Sequence, residues 1–159
     1  MKTEEEIGKI LREKMLTLSI AESCTGGLIS NLITNFAGSS DYFERGYVVY
    51  SNKSKIELLC VPEDTIKKYG AVSPHIAIAM ADGVKRKSCT DIGLSVTGIA
   101  GPTGGTLEKP VGLVYIAVAG NNKTECKEYR FKGGREEIKL ESAKAALECL
   151  REYLKIQCK

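Results

Sequence analysis

The chain has a single histidine, His75, in 159 residues. A Ser–His–Asp triad would need it beside a nucleophile. Its position just inside a helix start marks it instead as a surface or supporting side chain. The six cysteines, Cys24, Cys60, Cys89, Cys126, Cys149 and Cys158, are scattered and form no CxxC pair. That spacing offers no zinc site, and the expectation is reduced, buried thiols rather than a disulfide framework. No apolar run approaches the roughly 20 residues of a membrane span. The opening Met1-Lys-Thr-Glu-Glu-Glu6 is acidic and lacks the apolar stretch of a signal peptide, so the expected compartment is the cytoplasm. Lysine and arginine form no long block and the formal net charge is only +3, which gives nucleic-acid binding little electrostatic support. Also missing are paired carboxylates, metal-ligand spacings, a P-loop ending in Gly-Lys-Ser/Thr and a GxGxxG turn. The expectation is a globular protein that needs no metal or cofactor and contacts neither nucleic acid nor membrane.

What the chain does have is glycine in two polar loops. Ala21-Glu-Ser-Cys-Thr-Gly-Gly27 follows the strand-like run Thr17-Leu-Ser-Ile20. Thr97-Gly-Ile-Ala-Gly-Pro-Thr-Gly-Gly-Thr-Leu-Glu-Lys-Pro-Val-Gly112 lies between the apolar runs Ile92–Val96 and Leu113–Val118. Such loops build no core, but their backbones can approach a ligand closely. Two of them leaving strand ends point to one small-molecule site of anionic character.

With 43% hydrophobic residues the chain can bury one good core, so residues 1–159 read as a single domain. Apolar spacing predicts helices over 3–15, from Thr25 onward, 52–59, after Pro62, from Ser73-Pro74 to about Lys87, and 135–155. Helix packing is expected from Ile7, Ile10, Leu11 and Met15, from Leu28, Ile29, Leu32 and Ile33, and from Ile138, Leu140, Ala145, Ala146 and Leu150. Strands are expected at 17–21, 43–50, 91–97, 112–119 and 124–132. The last two are joined by the hairpin signal Gly120-Asn-Asn-Lys123. This order predicts a three-layer α/β/α sandwich around a mixed, mostly five-stranded sheet.

Ser23 lies between a strand end and a helix start, where free backbone N–H groups can hold a phosphate or an oxyanion. The alternative is that Ser23 or Thr25 only caps the helix. Glu22 could be a buried partner or a supporting group. A serine nucleophile without histidine needs another base, and lysine is the natural substitute. Tyr50-Ser-Asn-Lys-Ser-Lys55 offers Lys53 and Lys55, either of which could equally be a solvated helix residue. Arg135 opens the last helix after Gly133-Gly134 and could grip a phosphate, or make a surface ion pair. Glu108 and Lys109 fit solvated loop charges.

Taken together, these segments resemble one family. The segments are Ala21–Gly27, Gly38-Ser-Ser40, Tyr50-Ser-Asn52 with Lys55, Gly70-Ala-Val-Ser73, and Thr97–Pro102 with Gly104-Gly105 and Glu108–Gly112. In order and over about residues 4–155 they are similar to the CinA C-terminal domain, the nicotinamide-nucleotide amidase (PncC) family. The resemblance implies hydrolysis of nicotinamide mononucleotide to nicotinate mononucleotide and ammonia, a stand-alone form of the domain, and self-association. It implies Ser23 as nucleophile and Lys55, directly or through Tyr50, as base. The loop residues Thr25, Gly26, Gly27, Thr97, Gly98, Gly101, Gly104 and Gly105, with Arg135, are the expected substrate ligands. Which loop holds the phosphate and which the oxyanion stays open. The family often carries Gly-Asp-Arg and a second arginine four residues on; here the positions read Gly133-Gly-Arg135 and Lys139. The rival class is a non-catalytic nucleotide-binding regulatory module. A direct role in DNA uptake or repair has only the family's name behind it.

Overall fold

The structure, a computed structural model, describes residues 1–157, so Cys158 lies outside the described residues. The element order is α1 Thr3–Glu13, β1 Leu18–Glu22, α2 Leu28–Thr34, a 3₁₀ turn Ser39–Asp41, β2 Phe43–Val48, α3 Asn52–Leu59, α4 Glu63–Tyr69, α5 Pro74–Ser88, β3 Ile92–Gly98, β4 Leu113–Ala119, β5 Thr124–Arg130 and α6 Arg135–Gln157. The five strands form one sheet in the order β2-β1-β3-β4-β5. β1 runs parallel to both β2 and β3, while β3–β4 and β4–β5 are antiparallel. The mixed sheet and the three layers are those expected from the sequence. Gly120 N–H donates to the Lys123 carbonyl and closes the last hairpin.

Alternation along the strands decides which helices lie on which face. Leu18 and Ile20 of β1, Leu94 and Val96 of β3, and Val114, Ile116 and Val118 of β4 point one way. They pack against Ile7 and Leu11 of α1, Ile29 and Ile33 of α2, and Leu147 and Leu150 of α6. The opposite face is small: Ala117 and Ala119 of β4 meet Ala77 and Ala81 of α5. Gly93 belongs to this close approach, because a Cβ there would lie 2.3 Å from the Ala81 carbonyl oxygen. Ser95 Oγ donates to the Ala77 carbonyl at 2.6 Å and ties α5 to β3. Small residues thus let a 15-residue helix lie tightly across the sheet centre.

Several expectations are corrected. Met15 lies beyond α1 with φ 54° and is 88% exposed, so it packs nothing. Leu140 is 40% exposed rather than in the core. Cys24 and Cys149 are buried, but Cys60 and Cys89 are exposed. The reason is local: each takes the left-handed conformation that ends α3 or α5, with φ 56° and 53°. All five described cysteines are free thiols. Neither Ser23 nor Thr25 caps α2; its N-cap is Gly27, with φ 102° and no side-chain cap bond. No helix among the described residues is long and apolar enough to cross a membrane.

Candidate active site

In open α/β sheets, ligand crevices form beyond the carboxyl ends of parallel strands. Here three such ends meet. β1 runs into Ser23, β2 into Val49 and Tyr50, and β3 ends at Thr97-Gly98. Ser23 N–H donates to the Val96 carbonyl at 3.1 Å and Val49 N–H to the Glu22 carbonyl at 2.8 Å, which fixes the three chain exits side by side. The result is a cleft of about 190 Å³ lined by Ser23, Cys24, Tyr50, Asn52, Lys55, Ala71, Val72, Thr97, Gly98, Ala100 and Arg135.

At its floor Lys55 Nζ donates to Ser23 Oγ at 3.1 Å and to the Tyr50 carbonyl at 3.1 Å. The lysine is carried by α3, whose start is fixed by Ser51 accepting from the Ser54 N–H at 3.0 Å. Lys55 is 1% exposed and Ser23 7%. Burial pushes the Lys55 amine down from the usual 10.5 to about 8. The cause is desolvation of the ammonium in the interior. When the amine is neutral, the same contact can run the other way, with Ser23 donating. Cys24, next in the chain, is no rival nucleophile, because burial raises its thiol to about 12.

The other expected ligands divide. Tyr50 lines the cleft, but its hydroxyl accepts from Arg135 Nη2 at 2.9 Å and stands outside the Lys55–Ser23 contact. Arg135 Nη1 donates to the Gly101 carbonyl at 2.6 Å, so one guanidinium bridges the long loop and the Tyr50 corner. Thr97 and Gly98 line the cleft wall, with Thr97 Oγ1 donating to the Ala71 carbonyl at 2.9 Å. The Thr25 hydroxyl donates to Glu22 at 2.6 Å and the Gly27 N–H to Glu22 at 3.0 Å, so both donors are already used. Gly26 sits at the turn with φ 60°, and the Lys139 ammonium comes close to it. Gly104 and Gly105 do not line the cleft. Among the described residues, no backbone carbonyl accepts the N–H of Cys24 or Thr25. Both follow Ser23 directly in the chain, and Cys24 lines the cleft. His75 is elsewhere, stacked on Tyr69 with ring centroids 3.6 Å apart.

Sequence reasoning passed over Asn52, Ala71, Val72 and Ala100, all lining residues. Asn52, Ala71-Val72 and Ala100 stand inside segments already singled out, so the segments were visible but not their direction. Among the described residues, no three His, Cys, Asp or Glu side chains gather as metal ligands would.

The model of the CinA C-terminal domain matches residues 1–154. The chain belongs to the CinA C-terminal domain family. It is 51% identical over 152 residues to a CinA-like protein of Syntrophus aciditrophicus, a match covering 95% of this chain and 36% of the relative. The chain spans little more than a third of the length of the curated relatives it matches. Solved structures agree over nearly the whole chain. The competence/damage inducible protein CihA of Agrobacterium tumefaciens is 41% identical with a TM-score of 0.88, covering 98% of this chain and 97% of that one. The competence damage-inducible protein A (ComA) of Klebsiella pneumoniae is 30% identical with a TM-score of 0.93, covering 97% and 96%.

Proposed function

We propose that the chain hydrolyses the carboxamide of nicotinamide mononucleotide, giving nicotinate mononucleotide and ammonia. The observation that carries the reading is the buried Lys55 amine 3.1 Å from the Ser23 hydroxyl. A lysine near its neutral form beside a serine can take the hydroxyl proton as the oxygen attacks. Ser23 Oγ bonds to the amide carbon and the proton passes to Lys55. The carbonyl oxygen becomes an oxyanion and is held by the N–H groups of Cys24 and Thr25. Collapse breaks the C–N bond, and Lys55 returns the proton to the leaving nitrogen, which departs as ammonia. Water then attacks the ester, Lys55 takes its proton and gives it to Ser23, and the acid is released as carboxylate.

The cleft favours this class of substrate. Its lining includes two basic side chains, Lys55 and Arg135, and no aspartate or glutamate. At about 190 Å³ it is smaller than the ~300–1,000 Å³ typical of a whole drug-sized ligand. A ring and its carboxamide suit the floor, with ribose and phosphate extending past Tyr50 toward Arg135. The pyridinium ring withdraws electrons and makes the amide more electrophilic. The test is ammonia release from nicotinamide mononucleotide by the purified chain, with the product identified by mass. Mononucleotide binding without ammonia release would favour a non-catalytic nucleotide-binding module instead.

A further inference from the structure

Glu22 ends β1 and is fully buried, one residue before Ser23. A carboxylate at the end of a central strand is costly there unless its oxygens are satisfied. Five donors converge on it. Oε2 accepts from Thr25 Oγ1 at 2.6 Å, Gly27 N–H at 3.0 Å and Ile29 N–H at 3.1 Å. Oε1 accepts from Ser30 N–H at 2.8 Å and Ser30 Oγ at 2.9 Å. Every partner is neutral, and each belongs to the segment that leaves Ser23 and enters α2. Between Ser23 and Ile29, this carboxylate and the Ser23 and Thr25 carbonyls take the N–H groups of Gly26, Gly27, Leu28 and Ile29. Those of Cys24 and Thr25 are the ones left over.

We propose that Glu22 is a positioning residue for the reaction: its carboxylate winds the Thr25–Ser30 segment around itself and so holds the Ser23 hydroxyl and the Cys24 and Thr25 N–H groups in attacking geometry. This rests on the amidase reading for its substrate, but not for its geometry. Glu22 does not act by tuning the base, because the shift of Lys55 comes from burial. A misplacement of about 1 Å in such a constellation costs on the order of 100-fold in rate. Glutamine keeps the size of Glu22 but brings an NH₂ group against N–H donors, so Glu22→Gln should open the turn.

The experiment uses the purified full chain, with circular dichroism to check folding. Turnover of nicotinamide mononucleotide is measured across pH. Independently, the rate at which a fluorophosphonate modifies Ser23 is followed by intact mass. In Glu22→Gln, kcat and the labelling rate should both fall about 100-fold, with KM within about threefold and the pH limb of Lys55 unmoved. Thr25→Val and Ser30→Ala accompany it in case Glu22→Gln does not fold. Thr25→Val removes a donor from Glu22 Oε2 and should slow labelling about tenfold. Ser30→Ala acts on Oε1 and should change it less than about twofold. A folded Glu22→Gln that labels at the wild-type rate overturns the proposal, as does a displaced pH limb. If Glu22→Gln is unfolded, equal labelling of Thr25→Val and Ser30→Ala overturns it. A wild type whose Ser23 does not label also overturns it, since no activated hydroxyl is then held. A wild type that labels but releases no ammonia sinks the amidase reading and leaves the positioning role standing.

Discussion

Ser23 and Lys55 are 7% and 1% exposed, whereas Tyr50 is 60% exposed and Arg135 stands in the open first turn of α6. The floor of the cleft is held by chain exits from a central sheet and by a lysine forced into the interior. The rim is held by a few polar contacts, Arg135 to the Gly101 carbonyl and to the Tyr50 hydroxyl. Burial gives the floor a perturbed base and a fixed distance. Exposure leaves the rim charges screened by solvent. The floor is therefore suited to bond making and the rim to recognising the far end of a substrate. Changes at the floor should act on kcat and changes at the rim on affinity.

The sharpest way to break this division is Ser23→Ala. Turnover should fall by at least about 10³-fold, with mononucleotide affinity kept, measured by ammonia release and by calorimetry. Ser23 caps no helix, so the melting temperature should change little. Near-normal turnover in the folded variant would end the covalent mechanism.

Lys55→Met should lower turnover by orders of magnitude at similar bulk. In the wild type, the rate should rise with pH through about 8, where the amine becomes neutral, and then level off. That limb should be missing from whatever activity the variant keeps. The same burial predicts a stability effect. The folded amine titrates near 8 and the unfolded one near 10.5, so between those values the unfolded chain binds more protons. The Lys55 contribution to stability should then rise by up to about 3 kcal/mol as pH climbs from 8 to 10.5; it is read as the difference from Lys55→Met, because the buried Cys24 thiol, raised to about 12, opposes it in both proteins. Lys55→Met should be the more stable protein at pH 7, with its advantage shrinking over that window in chemical denaturation. A flat difference would mean that the amine is not desolvated.

At the rim, Arg135→Ala should weaken mononucleotide binding about 10- to 100-fold, the worth of a charge-assisted contact to phosphate. The riboside, which lacks the phosphate, should lose less than about threefold. Equal losses for both would move Arg135 from recognition to holding the loop through Gly101.

The division also explains how far the sequence could be read. Apolar patterning together with proline, cap and hairpin signals placed the helices and strands within a few residues, although β1 is buried throughout and β2 and β5 hold no buried residue. Helix α3 was expected at 52–59, the range observed. Contacts across the fold were another matter. Lys55 lies 32 residues from Ser23, and Arg135 lies 85 from Tyr50. No local pattern encodes those meetings; only the motif resemblance preferred Lys55 to Lys53. Exposure of Cys60 and Cys89 was illegible because it follows from left-handed helix ends, which glycine or asparagine usually marks. The five bonds to Glu22 were also out of reach. A strand-end glutamate reads the same whether it faces water or a turn that folds back over it.

The smallest effect belongs to Lys53, and it tests the comparison by a control inside one helix. Lys53 and Lys55 are two residues apart in α3, about 200° around the helix axis, so they leave it on nearly opposite sides. The Lys53 side chain is 81% exposed and its ammonium lies 3.6 Å from Glu57, an i,i+4 pair on the solvent side. Exposed pairs of this kind contribute only about 0.3–0.5 kcal/mol. Lys53→Met should therefore leave turnover and the pH profile within about twofold of wild type and stability almost unchanged. The result has force because both substitutions remove one positive charge from the same helix, leaving its net charge equal in the two variants. If loss of a cation near the cleft were enough to impair catalysis, both would show it. Steady-state rates for the pair, taken in one buffer at two ionic strengths, separate the explanations. A Lys53→Met protein more damaged than Lys55→Met would remove Lys55 as the base and with it the distinction between floor and rim.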